Sequence, residues 1–156
     1  MSTYNPAFHI LESFLSNEEK QQLVEYAQTA EFTNHKSTKS GRSTAIDFCE
    51  IDFRDFPPER MCGILRVMNN NTVDWHTDGK RLAVIIHPLT DNYAPTSTEH
   101  GGESTSPMLF NTQSPHAVFN TDHCRLNLQI PLNTPYEELM ENSQHPDWEF
   151  INSLYI

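Results

Sequence analysis

Apolar and polar residues change rhythm along this chain near residue 43. Upstream, SNEEKQQLVEYAQTAEF (residues 16–32) places Leu23, Val24, Ala27 and Ala30 at helical spacing, with Lys20, Gln21, Gln22 and Glu25 outside that stripe. Ser16 followed by Glu19 is a capping-box pattern, which predicts a helix that starts there and covers another element. A short apolar segment, FHILESFL, precedes it. From residue 43 the chain breaks into the runs STAIDFCEI, MCGILRVM, TVDWHT, RLAVIIHPL, PMLFN, HAVFN and RLNLQIPL, separated by Pro, Gly, Asn and Asp. Such runs predict strands. Their close spacing, with no helical pattern between successive runs, predicts a mainly β fold, a sandwich or jelly roll, with one or two flanking helices. Residues 33–43 and the polar stretch TDNYAPTSTEHGGESTS (residues 90–106) predict loops long enough to act as lids. The tail, TPYEELMENSQHPDWEFINSLYI, predicts a short acidic helix and then a segment whose Trp148, Phe150 and Tyr155 pack back on the body.

Length and composition narrow the class. A chain of 156 residues can enclose one well-buried core and is short for two, so residues 1–156 are read as a single domain. Hydrophobic residues at 37% and charged residues at 20% fit a globular protein, and no apolar run approaches the roughly 20 residues of a membrane helix. The opening MSTYNPAFHI has neither a basic nor an apolar leader region, so a cytoplasmic location is expected. Cys49, Cys62 and Cys124 are odd in number and form no CxxC pair, which predicts reduced thiols. A net charge of −11 repels phosphate backbones, so nucleic acid is not an expected partner. The basic stretch HKSTKSGRS (residues 35–43) reads either as a surface loop or as a lid that meets an anionic substrate.

The candidate chemistry begins at TVDWHTDGK. In a regular strand Asp74, His76 and Asp78 share one face, and Val73 and Trp75 the other, so two ligands can meet one ion. Asp74 reads either as an acceptor that orients a ligand histidine or as a solvated carboxylate, and Trp75 as a core residue rather than a substrate platform. A lone HxD pair is a weak signal. It gains weight from LFNTQSPHAVFNTDHCRLNLQIPL, where a hairpin centred on Asn120 and Thr121 would set His116 opposite Arg125. Arg125, Asn127 and Gln129 alternate with Leu126, Leu128 and Ile130, and a buried strand needs a reason, such as a site, for one polar face. Two His and one carboxylate with open positions form the ligand set of non-heme Fe(II) oxygenases. Arg125 adds a planar fork for the far carboxylate of a dicarboxylate cosubstrate, 2-oxoglutarate.

At these residues the chain resembles the Fe(II)/2-oxoglutarate-dependent dioxygenases, and most closely their aspartyl/asparaginyl β-hydroxylase-like group. The resemblance spans residues 60–133 and rests on WHTDGKRLAV and on LFNTQSPHAVFN followed by Arg125. It implies a double-stranded β-helix of cupin-like jelly-roll form. It also implies His76, Asp78 and His116 as Fe(II) ligands and Arg125 on the 2-oxoglutarate carboxylate, with Arg81 helping to hold either the cosubstrate or the substrate. Asn127 and Gln129 read either as lining the same cavity or as buried amides satisfied by backbone. Ala83 stands where members that hydroxylate protein Asp or Asn carry a second arginine, which argues against acidic side chains as substrate. The segment ILESFLSNEEKQQLVEYA is similar to the opening helix of prolyl-hydroxylase-like relatives, ranked second because they place Lys where Arg125 stands. The resemblance implies a hydroxylase that uses 2-oxoglutarate and dioxygen on an amino acid, peptide or small metabolite and releases succinate and carbon dioxide.

Two other readings stand beside it. One is a cupin-like metalloenzyme with Zn(II) or iron and no cosubstrate; the other is a jelly-roll module that binds a metal or small acid without turnover. His9, His87, His100 and His123 have no ligand spacing and are read as surface or capping residues, and Gly101 to Glu103 as a turn.

Overall fold

The computed structural model describes residues 5–36, 43–57, 60–77, 82–99, 102–119 and 122–155. In chain order the elements are β1 (Phe8–Ile10), α1 (Asn17–Thr29), β2 (Thr33–Lys36), β3 (Ser43–Glu50), β4 (Gly63–Val67), β5 (Val73–His76) and β6 (Ala83–Pro88). They continue with β7 (Thr96–Thr98), β8 (Glu103–Ser104), β9 (Met108–Asn111), β10 (His116–Val118), β11 (Arg125–Leu132), α2 (Tyr136–Glu141) and α3 (Pro146–Ser153). The strands form two antiparallel sheets, a large one in the order β1-β9-β6-β11-β4-β3-β2 and a small one in the order β5-β10-β7-β8. Among the described residues three helices flank them rather than one or two, because HPDWEFINS, read only as a segment that packs back on the body, winds into α3 with Pro146 at its first turn.

Strand β11 sits inside the large sheet and is buried along nearly its whole length. Its registers with β6 and β4 sort the sheet's two faces. Leu126, Leu128, Ile130 and Leu132 lie with Ile64, Ile85 and Leu109 on the face that packs against Ala27 of α1, Leu139 of α2 and Ile151 of α3. Arg125, Asn127 and Gln129 point the other way, toward the small sheet. The small sheet closes on that second face through Val73 and Val118, which pack on Val67 of β4. The polar face read from β11 is therefore real, and it is turned inward.

Helix α1 starts as its capping box requires: Ser16 Oγ accepts from the Glu19 backbone N–H, and Glu19 accepts from the Ser16 N–H. Glu19 has a second task. Arg54, held at φ 49°, donates to both Glu19 carboxylate oxygens at 2.8 Å and to the carbonyls of Phe14 and Leu154 at 2.7 Å. One guanidinium thus ties α1, the segment before it and the end of α3 together, and it holds the Glu19 carboxyl below its usual pKa.

Several expectations change. Residues 33–36, placed in a predicted loop, form β2, and residues 96–98 and 103–104, likewise placed in a loop, are β7 and β8, whereas β3 is the strand expected from STAIDFCEI. Backbone pairing along the sheet edges wins there over polar composition. His87, expected in a surface or capping role, is 3% exposed. Its Nδ1–H donates to the Pro88 carbonyl at 2.7 Å, which leaves Nε2 to accept from Ser13 Oγ at 3.0 Å, and Phe14 packs edge-on at 4.7 Å. The thiols of Cys49, Cys62 and Cys124 are free, as expected, and burial pushes Cys62 up to about 11, so it is inert. Among the described residues no helix is long and apolar enough to cross a membrane.

Replacing Arg54 by Ala should cost about 2 kcal/mol, because charge-assisted bonds to Glu19 and to the Phe14 and Leu154 carbonyls are lost together; urea unfolding measures this, and a change under about 0.5 kcal/mol would rule out the clamp. His87 is held neutral by burial first, then by the nearby Lys20 and Arg54 cations, with Glu19 and the Pro88 carbonyl opposing, so its pKa lies below 6.5. The unfolded chain then takes up a proton before the folded one does. Stability from this residue is complete above about pH 6.5 and declines as pH falls toward the lowered folded value. Unfolding at pH 7.5 and 5.5 should show the decline in the native protein and a smaller one in His87→Gln; equal slopes would refute this origin.

Candidate active site between the two sheets

His76 ends β5 and His116 opens β10, and the two residues are direct cross-strand partners. Their rings lie 4.2 Å apart between centroids, tilted by 56°. Each ring is fixed by the same local device: His76 Nδ1 lies 2.8 Å from the Asp74 carbonyl, and His116 Nδ1 lies 2.8 Å from the Ser114 carbonyl. A carbonyl only accepts, so Nδ1 carries the hydrogen in both and the lone pair is on Nε2. This is the tautomer that a metal-ligating histidine needs, with the second ring nitrogen held by the backbone. Phe110 of β9, on the opposite sheet, packs edge-on against His116 at 4.8 Å, which places the pair on the face turned toward the large sheet.

The registers on either side of this pair contain a bulge. His76 pairs with His116 while Val73 pairs with Val118, so two residues of β5 oppose one of β10. Val73 and His76 both face inward, and Asp74 and Trp75 are exposed. The period-2 reading of TVDWHT, which put Asp74 on the face of His76 and Val73 on the other, fails at this bulge. Asp74 orients His76 with its main-chain carbonyl instead of its carboxylate. Trp75, expected in the core, is 44% exposed and stands edge-on to Phe119 at 5.8 Å.

The anion-binding candidate comes from the facing sheet. Arg125 is 4% exposed. Its Nε–H donates to the Ala94 carbonyl at 2.8 Å, its Nη2 donates to Thr96 Oγ1 at 2.7 Å, and its guanidinium carbon lies 4.0 Å from the centre of the Tyr93 ring. Among the described residues no carboxylate pairs with it. Burial accordingly pulls its pKa below the usual guanidinium range, and the same burial raises Tyr93. Thr96 and Thr98 share a face of β7, and Thr98 is the cross-strand partner of His116. Arg125 therefore reaches into the space that the histidines face. Asn127, next on the same face of β11, is 1% exposed; its Nδ2 donates to Tyr93 Oη at 3.0 Å, and among the described residues its Oδ1 has no partner.

The expected hairpin between β10 and β11 does not form. Strand β10 pairs with β5 and β7, whereas β11 pairs with β4 and β6, and Arg125 faces Val67 rather than His116. The eight-residue β11 gains two long neighbours in the large sheet, which a three-residue hairpin arm cannot match. His116 and Arg125 still meet one cavity, but from opposite sheets. Asp78 and Arg81 lie outside the described residues, as do Asn120 and Thr121 of the expected turn. Among the described residues no three His, Cys, Asp or Glu side chains are grouped to hold an ion, so the described part of a metal centre is the histidine pair. Tyr93, Ala94 and Thr96, which hold Arg125, were not anticipated; they fall in a polar segment whose composition suggested a loop, and the one signal was an aromatic residue inside it.

No protein-family model matches the sequence, and no curated protein matches it. Solved structures do share its fold. A Pseudomonas putida prolyl-4-hydroxylase matches with a TM-score of 0.63 at 11% identity, over 82% of this chain and 93% of that one. A prolyl hydroxylase from Trichoplax adhaerens, solved with a hypoxia inducible factor oxygen degradation domain peptide fragment, matches with a TM-score of 0.61 at 13% identity, over 89% and 87%. A viral collagen prolyl hydroxylase from Paramecium Bursaria Chlorella virus-1, solved with 2-oxoglutarate, matches with a TM-score of 0.56 at 11% identity, over 81% and 96%. The chain has the double-stranded β-helix fold of these enzymes, as the sequence resemblance implied. The matched structures belong to the prolyl-hydroxylase group, which the sequence motifs placed second.

Long-range proton–nitrogen NMR spectra at pH 8 should show His76 and His116 as Nδ1–H tautomers. An Nε2–H tautomer at either would contradict the carbonyl bonds and remove that residue as an Nε2 ligand.

Proposed function

We propose that this chain is an Fe(II)- and 2-oxoglutarate-dependent dioxygenase that hydroxylates an unactivated C–H of an amino acid, peptide or small metabolite. One observation carries the reading: Arg125 is buried without a carboxylate partner among the described residues, in the same inter-sheet space as two histidines that present Nε2. A buried guanidinium lacking an anion is costly unless a ligand supplies one. The double-stranded β-helix, shared with prolyl hydroxylases, supports the same class.

In this reading His76, Asp78 and His116 hold Fe(II), and Arg125, Arg81 and Asn127 hold 2-oxoglutarate. Bound there, Fe(II) with 2-oxoglutarate and dioxygen supplies the oxidising chemistry, with succinate and carbon dioxide as co-products. The chain's own residues aim and shield it. Arg125 offers its fork to the far carboxylate, with Tyr93 stacked beneath it and Ala94 and Thr96 fixing its orientation. Asn127 completes that subsite through its amide orientation, which is assigned from hydrogen bonding. With oxygen and nitrogen exchanged, Oδ1 accepts from the Tyr93 hydroxyl and the NH2 group turns to the ligand carboxylate, so the atom now left without a partner disappears. Phe8, Val84, Ile86, Met108 and Phe110 form the apolar wall at the His116 end and exclude water. Within the superfamily, His116-x-Val118 followed by Arg125 favours the aspartyl/asparaginyl β-hydroxylase-like group, and Ala83 disfavours acidic side chains as substrate.

Anaerobic addition of Fe(II) and 2-oxoglutarate to apoprotein should produce a visible metal-to-ligand charge-transfer band that His116→Ala abolishes. Arg125→Lys should weaken 2-oxoglutarate binding by about tenfold or more, because the bidentate fork is lost. A folded wild-type protein that takes up metal without this band would instead support a binding module or a metalloenzyme that does not use 2-oxoglutarate.

A further inference from the structure

The β5 bulge exposes a second surface immediately behind the histidine pair. Asp74 and Trp75 both oppose the single residue Ala117, so a carboxylate and an indole stand side by side on the side of β5 turned away from the cavity. Phe119 meets Trp75 edge-on at 5.8 Å and 63°, and both residues are more than two-fifths exposed. Asp122, close behind Phe119 in the chain, is also exposed. In the described segments 72–77, 116–119 and 122–124, histidines aside, the ionisable side chains are these two carboxylates and the Cys124 thiol, in a chain whose net charge is −11.

Two aromatic rings meeting at a corner beside a carboxylate attract a cation by ring quadrupole and by charge together. Building on the proposed dioxygenase function, we propose that this corner docks a lysine or arginine side chain of a peptide substrate. Strand β5 is one of the two edge strands of the small sheet. Its edge therefore offers a short path from the corner to His76 on the opposite face. Crossing from one face of a strand to the other spans roughly 10 Å, about three extended residues, so a peptide can reach both places where a single amino acid cannot. The basic residue would anchor, and a neighbouring residue would enter the cavity.

The indole N–H signals of Trp75 and Trp148 report this binding separately, because Trp148 Nε1 is bonded to the Leu139 carbonyl on the far side of the large sheet; Trp75→Phe assigns them. The full chain is titrated at low salt with acetylated, amidated Gly-Gly-Lys-Gly-Gly and with its norleucine analogue. Movement of the Trp75 signal with about tenfold tighter binding of the lysine peptide is expected. Asp74→Asn should narrow that ratio to about threefold while the norleucine peptide is unaffected. Equal affinity for the two peptides, movement of Trp148 alone, or no movement at all would overturn the proposal. The charge-transfer band measured on the same wild-type sample separates the two ideas: peptide discrimination without a band removes the dioxygenase reading and leaves the cation site, whereas a band without discrimination removes the cation site alone.

Discussion

Arg125 joins the two sheets. Its backbone belongs to the centre of the large sheet, and its side chain is held by the Ala94 carbonyl and by Thr96, which lead into and form part of the small one. A guanidinium has five donors in a fixed plane, so these bonds also set the direction in which the remaining donors point. Burial without a carboxylate partner among the described residues makes that arrangement unfavourable for an empty apolar core and suitable for an anion. The position of Tyr93 beneath the fork and the unsatisfied oxygen of Asn127 follow from the same demand for polar partners in a buried space.

The opposite face of β11 obeys the ordinary rule for a core. Leu126, Leu128, Ile130 and Leu132 bury against three helices, and the Arg54 clamp gathers α1, its leading segment and the end of α3 over that layer. The large sheet is thereby made rigid from behind, which is what a site built on its front face needs. Histidines on the small sheet and Arg125 on the large one then stand on separate supports, and their relative placement depends on the contact of Val73 and Val118 with Val67.

Hydrophobic rhythm was informative where one face of an element meets a uniform environment. The capping box at Ser16, the run of strands after residue 43 and the two faces of β11 were all legible, because each depends on neighbours a few residues away. The same reasoning failed at β5. A bulge shifts the alternation by one residue, and nothing in TVDWHT signals it, so Trp75 was read as core and Asp74 as a partner of His76 through its carboxylate. It failed again at His87, whose burial depends on Ser13 and Phe14, more than seventy positions earlier in the chain.

The residue types of the proposed site are local chemistry. A histidine two residues from an aspartate, and an arginine alternating with leucine, suggest a metal and an anion from local sequence alone, and the proposed site starts there. Which residues face one another is a matter of long-range pairing. Strands β10 and β11 are neighbours in sequence and looked like a hairpin, yet each pairs on both of its edges within a different sheet. The energy of a full hydrogen-bonded ladder and of two buried faces exceeds that of a short turn, and neither is visible until the whole chain has folded.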